Sequence, residues 1–174
     1  MLKRLPNFHA VVSVYAVIAS MLFAWSLLLF FWYLPSWLHF MTIGDVIAVF
    51  SYVMAASFFE SLTFLLFLLL LCFSLPSNYL RNEFIARGTS ITLCVIGLIM
   101  IYLRVNNTYI TNILFSRFGI WPTLVAVAVS LLLTKIHQVR WALISLSDRL
   151  TIFLYILIPL SLFSLLVIII RNIF

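Results

Sequence analysis

The stretch "SFFESLTFLLFLLLL", residues 57–71, sets one carboxylate, Glu60, inside one of the most apolar runs of the chain. The run belongs to a longer apolar segment, 45–75, that opens at Asp45 and ends before Pro76. A helix rises ~1.5 Å per residue, so about twenty residues cross ~30 Å of hydrocarbon. A segment near thirty residues is longer than a bilayer requires, and it must tilt or protrude.

Outward from this segment the same texture repeats. The 174 residues are 66% hydrophobic and 8% charged, with mean hydropathy +1.28, whereas soluble domains run near half apolar and a quarter charged. The apolar residues form span-length runs rather than one core-sized set. The expectation is an all-α, polytopic integral membrane protein in one transmembrane helical domain, 1–174, with about five spans: 8–34, 45–75, 85–103, 120–136 and 149–170. The positive start "MLKRLPNF" suits a signal peptide, but the apolar stretch behind it outruns the usual h-region of roughly 7–15 residues, which points to a retained first helix.

Proline marks the expected ends. Pro35 stops span one and Pro76 stops span two, because proline has no N–H to continue a helix. Pro122 opens span four, where the first turn tolerates it. "PSWLHFMTIGD" reads as a loop, with Trp32, Tyr33 and Trp37 at the interface. "YITNILF" is too short to cross and reads as interfacial. "KIHQVRWALISLSDR" either continues span four or lies along the surface, and Ser147 or Asp148 suits the cap of span five.

Counting Lys and Arg orients the five-span reading. Lys3, Arg4, Arg81, Arg87, Lys135, Arg140 and Arg149 fall on one side, and Arg104, Arg117 and Arg171 on the other. The positive-inside rule puts the N-terminus in the cytoplasm and the C-terminus outside. The net charge of +6 then faces an anionic leaflet and needs no nucleic acid. Arg81, Arg87, Lys135, Arg140 and Arg149 are candidate lipid-headgroup contacts, with topology anchoring as the plainer role. The five-span pattern resembles, in topology alone, the membrane part of enzymes with an extracellular catalytic domain. Only four residues follow span five, so no such domain is expected.

Glu60 is the strongest candidate for function. An acid at mid-span costs roughly 2.5–3.5 kcal/mol on insertion scales. At about 100° per residue, Val53, Ser57, Glu60, Ser61 and Phe64 share a face. That polar stripe is expected to turn toward other helices, with Glu60 neutral and hydrogen-bonded by hydroxyls or carbonyls. Arg104 is the rival, an ion-pair partner reaching down from the end of span three. A proton or cation site, or a contact to a partner subunit, are the functional readings. Pro159, in "LYILIPLSLFSLL", is expected to kink span five and to free the Tyr155 carbonyl.

Other chemistry finds no support in the residues. Cys72 and Cys94 lie in apolar runs at no metal-ligand spacing. The three His form no ligand pattern, no paired carboxylates offer acid–base work, and no nucleophile elbow appears. With four glycines, no phosphate-cradling loop can be built. "NNT" at Asn106 is a glycosylation sequon on the expected outer side. No catalytic residue, metal or cofactor is therefore expected. The function that remains is a non-enzymatic accessory or scaffolding subunit, or a homo-oligomer, in the cell membrane, with the bilayer and other membrane subunits as partners. The alternatives are a small ion- or proton-coupled transporter or channel using Glu60, and a lipid-binding or lipid-modifying protein using the basic loops.

Overall fold

The computed structural model describes residues 6–74, 83–106 and 117–173. They form five helices: α1 (Phe8–Phe40), α2 (Ile43–Ser74), α3 (Phe84–Asn106), α4 (Arg117–Leu133) and α5 (His137–Ile173). Four of them, α1, α2, α3 and α5, are long and apolar enough to cross a membrane. The chain is an all-helical, membrane-type protein. The fourth helix has 17 residues, or ~25 Å, a little short of the hydrocarbon thickness.

Pro35 does not stop α1, which runs on to Phe40. Ring contacts hold the helix across the proline. Trp37 meets Phe30 at 5.6 Å and stacks on Tyr33 at 5.9 Å. The helix then closes with the Met41 N–H donating to the Trp37 carbonyl at 2.8 Å. The expected first loop contracts to Met41 and Thr42. Thr42 caps α2: the Asp45 N–H donates to its hydroxyl oxygen at 3.3 Å, and that hydroxyl donates to Asp45 Oδ2 at 2.7 Å. A hydroxyl at the cap and an acid three residues on satisfy donors that the first turn leaves open.

The segment "KIHQVRWALISLSDR" neither extends α4 nor forms a separate surface piece. From His137 onward it is the start of α5, so Ser147 and Asp148 lie inside a helix and cap nothing. Leu143, Ser147, Leu154, Ser161 and Ser164 are buried along α5, with Leu150 and Leu157 packed in the same stripe. The spacing of four and three residues is that of a helix laid along its neighbours at a shallow angle.

The central helix is α1, which packs against α2, α3 and α5. Ala16, Ala19 and Phe23 meet Met54 of α2 and Leu154 of α5. On another side, Val14 and Ile18 meet Leu68, Cys72, Phe84, Ile91 and Ile96. Helix α4 packs chiefly on α3, where the Ser90 hydroxyl donates to the Ser130 carbonyl at 3.0 Å. Gly88 gives α1 and α3 their close approach, since a Cβ there would stand 3.2 Å from Val14 Cγ2.

Ion pairs mark the two ends of the bundle. At one end Arg140, near the start of α5, meets Glu83 beside the start of α3 at 2.5 Å. Pro6 and Asn7 line the same recess as that pair. At the other end Arg171, in the last turn of α5, meets Asp45 in the first turn of α2 at 3.1 Å.

Candidate functional site

The polar interior of the bundle is built from hydroxyls. Ser13, Ser51, Ser57, Ser61, Thr89, Ser90, Thr92, Ser130, Thr134, Ser147, Ser161 and Ser164 are buried. Most donate to a carbonyl three or four residues back in their own helix, as Thr92 does to Gly88 and Ser51 to Ile47. Such side chains spend their donor locally and let helices pack closely without an ionised group.

Two of these hydroxyls also join α2 to α1. The Ser57 Oγ lies 2.7 Å from Ser26 Oγ and 2.9 Å from the Val53 carbonyl. A carbonyl only accepts, so both contacts form together when Ser57 donates to Val53 and accepts from Ser26. Ser61 Oγ lies 3.3 Å from the Tyr15 hydroxyl and donates to the Phe58 carbonyl at 2.7 Å. Sequence reasoning names Ser57 and Ser61 but not Ser26 or Tyr15, whose roles depend on where α1 docks.

Glu60 is not part of that contact. It is exposed, while Ser57 and Ser61 are 1% and 0% exposed. The expected stripe spans about 100° of the helix, with Glu60 at one edge and Ser61 at the other. The axis of α1 lies over the Ser57–Ser61 side, which leaves Glu60 turned outward. No hydrogen bond or ion pair within the described residues reaches its carboxyl. It lies near the middle of α2, ~26 Å of helix from Ile43 and ~21 Å from Ser74, between the levels of Ser26 and Tyr15.

Arg104 does not stand at that depth. Its guanidinium lies over the Trp32 ring, 4.9 Å from the centroid. Trp32 is six residues, ~9 Å, beyond Ser26 along α1, near the end marked by Asp45 and Arg171. The contact is a cation–π pair of the kind that anchors an arginine at an interface.

The basic candidates are divided. Arg87 and Arg140 both pair with Glu83, at 3.4 and 2.5 Å, and Arg140 also lies 3.3 Å from His137 Nδ1. Their charge is therefore partly spent within the chain. Lys135 and Arg149 are exposed, and Arg149 borders a shallow groove with Asp148 and Trp141. Arg81, the "YITNILF" segment and most of the Asn106 sequon lie outside the described residues.

Pro159 sits inside α5 and is exposed, beside a groove of about 330 Å³ lined by Val12, Thr151, Leu154 and Tyr155. The Ser161 hydroxyl donates to the Leu157 carbonyl at 2.6 Å, not to that of Tyr155. A larger groove of about 780 Å³, lined by Cys94, Gly97, Ile101, Tyr102, Pro122 and Val125 among others, opens between α3 and α4. Its walls are almost wholly apolar, the surface that acyl chains fill in a bilayer. Among the described residues no group of three His, Cys, Asp or Glu converges.

Comparison with protein-family models, with characterised proteins and with solved structures finds no match to this chain.

Proposed function

We propose that this chain is a non-enzymatic integral membrane protein of the cell membrane that works by helix–helix association, as an accessory or scaffolding subunit. The observation that carries the reading is the outward placement of Glu60. A proton- or ion-coupled path through a bundle is marked by ionisable groups facing its interior. Among the described residues the interior at that depth holds hydroxyls rather than acids or bases: Ser57 and Ser61 donate to backbone carbonyls, and the Ser20 hydroxyl is buried without a partner. Asp148 and Arg149 lie nearer the end where Arg140 meets Glu83. An acid turned out of the bundle at mid-depth is costly beside lipid, even when protonation removes its charge, and contact with a second protein relieves that cost.

In this reading α4 crosses with the other four helices, giving five passes. The end that carries Arg87, Lys135 and Arg140 is cytoplasmic by the positive-inside rule, and the C-terminus is outside. The test is the mass of the full chain after mild extraction from its native membrane into lipid nanodiscs. A stoichiometric complex is expected. A monodisperse monomer that sustains ion or proton flux in liposomes overturns the proposal.

A further inference from the structure

The outer face of α2 specifies what kind of partner it takes. Ala56, Glu60, Thr63 and Phe67 are exposed, and they recur at four, three and four residues, so they form one continuous stripe along the helix. Ala56 and Thr63 are small and flank the acid, which allows another backbone to approach closely there. The Thr63 hydroxyl already donates to the Phe59 carbonyl at 2.8 Å, so Glu60 is the group on this stripe with a demand to be met from outside.

A second copy of this chain does not meet that demand. Two copies inserted in the same direction and related by an axis along the membrane normal bring each residue to its own level. Glu60 then faces Glu60, and two ionised carboxylates repel in a medium of low dielectric, so such a pair must first take up a proton, a cost that an acid–base pair does not carry. The chain's own cations among the described residues lie toward the two ends: Arg104 over Trp32, Arg171 on Asp45 and Arg117 at the start of α4 on one side, Arg87 and Arg140 on Glu83 with Lys135 and Arg149 toward the other.

Resting on the association reading above, we propose that the Ala56–Glu60–Thr63–Phe67 face of α2 docks a transmembrane helix of a different protein that carries a Lys or Arg near mid-bilayer. The acid and the base neutralise each other at the depth where each alone is least tolerated. Phe59 and Leu70, 56% and 57% exposed, supply apolar surface beside the charged contact.

The test uses the full chain, donor-labelled in liposomes, and acceptor-labelled single-pass Leu/Ala helices that differ only at the central residue: Lys, Gln or Leu. Energy transfer is expected to show the Lys helix binding at least tenfold tighter than the Leu helix. Glu60→Leu should erase the difference, Glu60→Gln should reduce it, and Ser57→Ala should keep it. Thermal unfolding of each variant establishes that it is folded, and Glu60→Lys should transfer the preference to a helix with a central Glu. A Lys helix that binds no tighter than the Leu helix, or a preference that survives Glu60→Leu, overturns the proposal. So does self-association of the chain that Glu60→Leu abolishes, which would make the partner a second copy. A native complex that persists in Glu60→Leu leaves the accessory reading standing and removes this one.

Discussion

Ser57 and Ser26 place their hydroxyl oxygens 2.7 Å apart across the α1–α2 contact, with Ser57 1% exposed. The pair is one of the contacts that set the rotation of α2 about its own axis, with Ala16, Ala19 and Phe23 against Met54 and Tyr15 on Ser61, and that rotation turns Glu60 outward. Hydrogen bonds between membrane helices average about 0.6 kcal/mol. Ser57→Ala should lower stability by about that amount, and Ser57→Leu by about 1–3 kcal/mol, because it overfills a closed contact. Thermal unfolding in mild detergent measures both. Equal effects would mean that the contact is not packed as described.

Glu60→Gln should leave the stability of the isolated chain within about 0.5 kcal/mol of the parent, as expected for an exposed side chain without a partner among the described residues. If an arginine of this chain were paired with it, the same change would strand a buried cation and cost about 3–5 kcal/mol. Unfolding of purified protein separates the two cases.

Gly88 and Gly97 lie on the same helix and should respond in opposite directions. A Cβ on Gly88 would press on Val14, at 3.2 and 3.3 Å from its two methyl groups, whereas a Cβ on Gly97 meets nothing within 4 Å. Val14 is fully buried and stiff at χ1. Gly88→Ala should therefore destabilise by about 1–2 kcal/mol, net of the helix propensity it gains. Gly97→Ala should be neutral or stabilising by up to about 1 kcal/mol. In a double-mutant cycle, Val14→Ala should recover part of the Gly88→Ala loss.

Asp45 joins the first turn of α2 to the last turn of α5. The Thr42 hydroxyl donates to its carboxylate at 2.7 Å and Arg171 meets it at 3.1 Å. Both contacts need the ionised carboxylate, so the stability they add is present at neutral pH and fades as acid protonates the group. Asp45→Asn should flatten that part of the profile and leave the behaviour at neutral pH otherwise similar in shape. Unfolding midpoints taken from neutral pH down through the carboxylate range provide the check.

A reporter fused after Phe174 should behave as extracytoplasmic. In the five-pass reading, seven Lys and Arg fall on the N-terminal side and three on the other, and the positive-inside rule keeps the richer side in the cytoplasm. Cytoplasmic activity of the reporter would mean an even number of crossings, with the 17-residue α4 failing to span.

The helical membrane character was legible in the sequence because it depends on local quantities: the lengths of apolar runs and the scarcity of charge. The depth of Glu60 was legible too, since a rise of ~1.5 Å per residue converts position into distance. Boundaries were less so. A proline removes one hydrogen bond, which Trp37, packed on Phe30 and Tyr33, outweighs at Pro35, and the polar composition of "KIHQVRWALISLSDR" conceals a helix that protrudes beyond the apolar zone.

Only the tertiary structure decided which way Glu60 faces. Helical periodicity groups Ser57, Glu60 and Ser61 within about 100° of arc, and nothing in α2 itself says where on that arc its neighbour lies. The docking of α1, set by Val14 against Gly88, by Ala16, Ala19 and Phe23 against Met54, and by Ser26 and Tyr15 against the two serines, covers one edge of the arc and leaves the other open. Residues distant in the chain therefore determine whether the carboxylate serves the interior or the outside, because orientation is a relation between helices and depth is a property of one.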